Sequence, residues 1–197
     1  MTHLRPAFTL LLLLTLITGG LYPLLVTALG QWFFPWQASG SLIYQHQQPA
    51  ASVLIAQAVS GPEFFQPRPS ASGDHSWNPA LSGGSNLAVS NPALDKQVAD
   101  RAAALRKENP QASAPIPVEL LTASGSGVDP NLTPEAALWQ APRIASARGV
   151  NIRVIDNLIK RHTERPFPGF IGQPVVNVIT LNQALNGLSP TSHAKEN

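Results

Sequence analysis

Residues 7–29 read AFTLLLLLTLITGGLYPLLVTAL, a stretch without a charged side chain. At about 1.5 Å of rise per residue, a helix of this length covers the roughly 30 Å hydrocarbon layer of a bilayer. The uncharged region runs further still, because no Asp, Glu, Lys or Arg stands between Arg5 and Glu63. The reading is one membrane-spanning helix over residues 7–29, followed by one soluble domain. The rival is a cleaved signal peptide with Val26, Thr27 and Ala28 as its small-residue site. Against it, the apolar run exceeds the roughly 7–15 residues of a signal core, and the basic segment before it is weak.

The flanks give the orientation. His3 and Arg5 precede the run, and the next basic residue of the Lys/Arg type is Arg68. Positive residues stay on the cytoplasmic side, so residues 1–6 are expected inside and the bulk of the chain outside. Trp32, Phe33, Phe34 and Trp36 fall in residues 30–38, where amphipathic rings favour the headgroup layer. Within the span, Thr15, Thr18, Gly19 and Gly20 form a small-residue patch, with Tyr22 and Pro23 next. Small residues admit a second helix closely and hydroxyls bond across the contact, so these six positions are candidates for docking a membrane partner. A lone anchor of ordinary Gly and Thr content is the other reading. Pro23 has no N–H for the carbonyl of Gly19, so a kink is expected there.

Composition narrows the chemistry. The chain has no Cys, which excludes disulfides, thiolate metal sites, a cysteine nucleophile and a lipidated N-terminal cysteine. Only 12% of its residues are charged, with 19 Pro and 14 Gly, the signature of a loop-rich domain with few surface charges. A net charge of +2 gives no footprint for nucleic acid.

After the span, residues 39–188 read as one mixed α+β domain and residues 189–197 as a loose tail. Residues 41–44 and 52–56 are short apolar runs around a polar turn at 45–49, a β-hairpin pattern. Residues 61–91 lack periodicity and are expected to be a functional loop or a packed irregular segment. Asn91-Pro92 opens a helix with Leu94, Val98, Ala102 and Leu105 on one stripe, closed by Asn109-Pro110. Residues 116–121 read as a strand and 122–131 as a Gly/Ser loop. Thr133-Pro134 opens a helix to about Arg148, with Pro142 predicting a kink or a division into two. Asn151 caps a third helix carrying Ile152, Ile155, Leu158 and Ile159 on one face. Residues 166–174 are loop, 175–179 a buried strand, and 181–188 a final helical turn.

Motifs for catalysis are thin. His3, His46, His75, His162 and His193 show no metal-ligand spacing, and Asp74-His75 reads as loop surface. The nucleophile elbow G-x-S-x-G fails around Ser124 and Ser126. No P-loop is present. Thr122-Ala123-Ser124-Gly125-Ser126-Gly127 is open to reading as an anion nest or as a turn needing positive φ. Leu81-Ser82-Gly83-Gly84-Ser85 departs at its last residue from the LSGGQ signature of ABC ATPases. Arg143, Arg148, Arg153, Lys160, Arg161 and Arg165 form a basic run, suited to a solvated face, to acidic lipid or to an acidic partner.

Taken in order, several motifs resemble one family. They are Leu16-Ile17-Thr18-Gly19-Gly20-Leu21-Tyr22-Pro23, Arg68-Pro69-Ser70-Ala71, and Ser82-Gly83-Gly84-Ser85-Asn86-Leu87. Next come Thr122 to Pro130 with Asp129, then Ala136-Ala137, Gln140, Arg143-Ile144-Ala145 and Ala147-Arg148-Gly149, and last Val176-Asn177-Val178 with Leu181-Asn182. The chain resembles the C subunit of the bacterial Kdp potassium-transporting P-type ATPase to about Leu188. The resemblance implies an accessory subunit of an inner-membrane complex, while the charge pattern of the flanks places its domain in the periplasm. It implies two partners, a potassium-channel-like subunit and an ATP-hydrolysing P-type subunit, whose ATP affinity the family is described as raising. The D-K-T-G phosphorylation motif is missing, so no catalytic residue and no cofactor of its own are expected, and ATP acts through the complex. With the domain outside, an effect on ATP travels through the partner's helices. Ser82, Gly83, Gly84, Ser85, Asn86, Ser124, Gly125, Ser126, Gly127, Asp129 and Gln140 are the candidate functional positions. A membrane-anchored extracytoplasmic serine hydrolase using Ser124 or Ser126, and a small-ligand module feeding a channel mouth, are the alternatives.

Overall fold

The computed structural model describes residues 3–45, 47–72 and 77–188. His46, Asp74, His75, His193 and the 189–197 tail lie outside the described residues. Two units emerge, Met1–Ala50 and Ala51–Asn197.

The first unit is built on one apolar rod. Helix α1, Leu4–Leu16, passes through a π-helical stretch, Ile17–Leu21, into α2, Tyr22–Phe33. Leu4–Phe33 is long and apolar enough to cross a membrane, and none of its residues is buried. The π stretch is the local answer to Pro23. The N–H of Tyr22 reaches back to the carbonyl of Ile17, widening the turn where proline offers no donor. Gly19 and Gly20 lie inside this widened turn. Thr18 Oγ1 donates to Leu14 O at 2.7 Å, which satisfies the hydroxyl without a second helix. A short helix α3, Pro35–Ala38, follows, and Trp36 Nε1 donates to Leu42 O at 3.0 Å. Trp32 and Phe33 stack with centroids 5.0 Å apart.

A two-stranded ribbon joins β1, Leu42–Gln45, to β2, Gln48–Ser52. The second strand therefore lies earlier than the apolar run 52–56, and Pro49 is inside it. Both strands of a two-stranded ribbon are edges, so a residue without N–H is tolerated there. Ala56 instead leaves the ribbon and donates its N–H to Val128 O at 2.8 Å, fully buried.

The second unit is organised on helix α6, Pro134–Arg148, whose buried residues include Ala136, Ala137, Trp139, Gln140, Ala141, Arg143, Ile144 and Ala145. Thr133 caps it by accepting from Ala136 N, and Gly149 at φ +65° ends it. Pro142 does not divide it into two helices. Before it come α4, Pro92–Glu108, capped by Asn91, and one short turn, α5, Val118–Leu121. That turn replaces the strand expected at 116–121, because Pro117 sits at its N-cap and Leu120 alone turns into the core.

Helix α7, Ile152–Arg161, is capped by Asn151 and buries Ile155 and Ile159. The sheet is three short antiparallel strands in the order β3, Asn131–Leu132, β5, Val175–Asn177, and β4, Thr163–Glu164. Leu132 faces Val176, and Thr163 faces Val176 from the other side. The strand expected over 175–179 stops at Asn177. The Asn177 side chain accepts from Ile179 N and Thr180 N, and starts α8, Val178–Asn186. Phe65, Leu132, Ile144, Ile155, Ile159, Val176, Leu181 and Leu185 form the core. The architecture is α+β.

Candidate functional site

Three of the sequence motifs meet in the second unit. The Ser82 loop and the Ser124 loop pack backbone against backbone. Gly83 N–H and Ser82 Oγ both donate to Ser126 O, at 2.8 and 2.9 Å. A Cβ on Gly84 would stand 3.3 Å from Gly125 O, and one on Gly127 would stand 2.6 Å from Gly83 O. The glycines at 84 and 127 are thus explained by close approach, and at 127 by a φ of +70° as well.

The third partner is the stretch from Arg68 to Ser72. Ser124 N–H donates to Pro69 O at 3.0 Å, and Arg68 pairs with Asp129 at 3.5 Å. Asp129 also accepts from Asn131 N at 3.0 Å through its other oxygen. Ser70 and Ser72 share a hydrogen bond of 2.7 Å between their hydroxyls. Those hydroxyls accept in turn from Trp77 N, at 2.9 Å, and Asn78 N, at 3.1 Å. Trp77 takes a φ of +59°, unusual for a bulky residue, and is pinned by its indole N–H on Arg68 O at 3.2 Å. Asn86 is at φ +52°, where asparagine is among the tolerated residues. Ser85 lies beside it in the same loop.

The polar groups of this cluster mostly serve one another. The N–H groups of Gly83, Ser124 and Val128 are already committed inside it, the last to Ser126 Oγ at 3.2 Å. Ser124 is 2% exposed, and its Oγ, like Arg68 Nε, is buried without a hydrogen-bond partner among the described residues. No described histidine bonds either serine. His162 Nδ1 lies 2.9 Å from Leu158 O, at the end of its own helix.

Gln140 lies elsewhere, in α6 rather than in a loop. Its side-chain amide accepts from Gln66 N at 2.8 Å and donates to Gln66 O at 3.0 Å. Asn182 of α8 does the same to Phe65, at 2.8 and 2.9 Å. Two side-chain amides therefore serve one extended segment as a neighbouring strand would. Arg143 adds Pro62 O at 2.7 Å, Phe64 O at 2.9 Å and Gln140 Oε1 at 3.0 Å. Arg148 adds Glu63 O at 2.8 Å and Leu185 O at 2.9 Å, with its guanidinium 5.1 Å from the centre of the Phe64 ring.

Arg143 and Arg148 are thus internal staples, not part of a solvated basic face. Burial lowers the Arg143 pKa, and Glu108 and Glu63 partly oppose the shift. Burial also lowers that of Arg101, which donates to Leu121 O at 2.9 Å. Sequence reasoning missed this clamp, although Gln140, Arg143 and Ile144 stand at the i, i+3, i+4 spacing of one helix face.

Comparison with known proteins gives the family. Residues 4–187 match the family model described as KdpC, K+-transporting ATPase, c chain. The potassium-transporting ATPase KdpC subunit of Cronobacter sakazakii is 57% identical over 190 residues, 96% of this chain and 100% of that protein. That of Escherichia coli is 56% identical over 188 residues, 95% of this chain and 99% of that protein. That of Salmonella heidelberg is also 56% identical, over 95% of this chain and 97% of that protein. With the span, the paired glycine loops and the α6 clamp all inside the matched region, this chain belongs to the KdpC family of K+-transporting ATPase subunits.

Proposed function

We propose that the chain stabilises an ATP-driven potassium uptake complex and raises the ATP affinity of the subunit that hydrolyses ATP. It acts as an accessory subunit, without a catalytic constellation of its own. Its partners in this reading are a potassium-channel-like subunit and a P-type ATPase subunit of the inner membrane. The N-terminus lies inside and the second unit in the periplasm. The observation that carries the reading is a membrane-length helix with no buried residue in a chain of this family. Thr15, Thr18, Gly19, Gly20, Tyr22 and Pro23 are the surface offered to a partner helix.

ATP reaches this chain only through the complex. Coupling across the membrane then needs a state of the ATPase subunit that this chain favours, a bias of about 1–3 kcal/mol or roughly 5- to 150-fold in affinity. The test is the KM for ATP of the purified pump with and without this chain. A rise in KM of that size on omission is expected, and an unchanged KM overturns the ATP role. Failure of the chain to copurify with both larger subunits overturns the assembly role. For orientation, a single Cys at Val89, which is 90% exposed, is labelled by an impermeant maleimide in intact spheroplasts. Labelling only after lysis overturns the periplasmic assignment.

A further inference from the structure

The loop at residues 166–174 sets its apolar side chains outward. Phe167 is 98% exposed, Phe170 85% and Ile171 60%. Two exposed Phe and an Ile so close together in a charge-poor chain mark an interaction surface. Beside them is a pocket of about 680 Å³ whose lining includes Lys160, Thr163, Arg165, Pro166, Gly169 and Pro174, with no carboxylate among the described lining residues. Among the described residues neither Lys160 nor Arg165 has an ion-pair partner. Thr163 spends its hydroxyl proton on Ile159 O at 2.8 Å, so its oxygen faces the pocket chemistry only as an acceptor. Arg153 and Arg161 add charge on α7, against Asp156 and Glu164.

We propose that this surface is a second membrane contact. The phosphate of an anionic phospholipid sits between Lys160 and Arg165, while Phe167, Phe170 and Ile171 enter the interfacial layer. Three features favour lipid as the occupant. Cations beside exposed aromatic and aliphatic side chains match an anionic headgroup above acyl chains. No carboxylate among the described lining residues repels phosphate. The chain already carries a membrane-length helix ending at Phe33, and covalent attachment to it raises the local lipid concentration for everything that follows. The inference does not depend on the role of the chain in ATP affinity.

The test uses the full-length chain, which has no native Cys to interfere. Phe170→Cys carries an environment-sensitive nitrobenzoxadiazole label, and Val89→Cys carries it as the control. Each is reconstituted in phosphatidylcholine vesicles with and without phosphatidylglycerol at about a quarter of the lipid, with doxyl-labelled lipid as quencher. Label at 170 is expected to shift to the blue and be quenched when phosphatidylglycerol is present, and label at 89 is not.

Each cation at an anionic surface is worth about fivefold in binding, so Lys160→Gln with Arg165→Gln weakens insertion roughly 25-fold and returns label 170 to the control level. Both residues are exposed, so the core is untouched. Quenching at 170 equal to that at 89 in both lipids overturns the proposal. So does quenching that ignores phosphatidylglycerol and the charge variants. A label that turns apolar only when the partner subunits are added, without lipid quenching, makes the surface a protein interface and overturns it as well.

Discussion

Replacing Gly127 by Ala tests whether the two glycine loops lean on each other as closely as the backbone places them. Two costs add at this position. Gly127 has a φ of +70°, a conformation costing an L residue about 1–2 kcal/mol. The new Cβ would also stand 2.6 Å from Gly83 O and 2.9 Å from Ser72 Cβ. The first neighbour is backbone, held by the Gly83 N–H bond to Ser126 O at 2.8 Å, so no side chain can swing away. Relief means moving a loop, at about 1–3 kcal/mol.

The sum for Gly127→Ala is about 2–5 kcal/mol. Two other glycines separate the contributions. Gly149 has a φ of +65° with nothing within 4 Å of its Cβ position, so Gly149→Ala bears only the conformational cost. Gly125 has open space at its Cβ and no positive φ, so Gly125→Ala stays within about 0.5 kcal/mol. Chemical denaturation of the full chain in detergent, read by tryptophan fluorescence, ranks the three. Amide exchange at Gly83 and Ser124 reads the loops directly and should quicken roughly 30- to 4000-fold in Gly127→Ala. A Gly127→Ala cost no larger than that of Gly149→Ala would refute the close approach.

Arg143→Met should cost about 2–4 kcal/mol, because it strands the carbonyls of Pro62 and Phe64 after charge-assisted bonds are lost. Arg143→Lys should recover less than half of this by the same denaturation assay, since one ammonium cannot span three acceptors. The lowered Arg143 pKa means that the unfolded chain holds that proton more tightly, so its linkage raises stability with pH only where guanidinium titrates. Denaturation midpoints should therefore show no Arg143-dependent change between about pH 6 and 9. Ser124→Ala should leave stability within about 0.5 kcal/mol or raise it, as it removes a buried hydroxyl without a partner among the described residues. Pro23→Ala restores an N–H and should let residues 17–21 tighten to α-helix, turning the face of α1 by about 100° against α2. A cysteine scan of lipid quenching along residues 8–14 and 24–29 would show that phase change.

How much was legible in the residues follows from where the signal is local. Asn91, Thr133 and Asn151 were readable as caps because Pro follows the first two at the first helical position and an apolar stripe follows Asn91 and Asn151, and all three accept from the first turn as a cap should. The long apolar helix was readable because composition alone decides it. The run Val175-Val176-Asn177-Val178-Ile179 misled, since β-branched residues favour strands and the helix begins inside the run. The Asn in its middle was the unused cue, as its side chain caps α8. The ribbon register was lost because neither strand covers a core, so no alternation of burial is imposed on the residues. The pairing of the Ser82 and Ser124 loops is a long-range backbone contact, and nothing near either loop encodes its partner. Glycine at 84 and 127 is the only trace it leaves in the sequence.

The arginines and side-chain amides explain why so loop-rich a domain without a disulfide holds one shape. Residues 61–66 form no regular ladder, yet their backbone groups are met by Gln140, Arg143, Arg148 and Asn182 from two helices. A buried peptide group must find a partner, and here the partners are side chains on α6 and α8 instead of a neighbouring strand. This arrangement ties the position of the segment to the helices themselves, because a helix shift would break several bonds at once. The Arg68–Asp129 pair and the glycine contacts fix the neighbouring loops in the same way. Residues that resemble a catalytic inventory when read in a line are therefore spent on holding loops in place. Bracing of this kind suits the role proposed above, in which the chain favours one state of a moving partner over another.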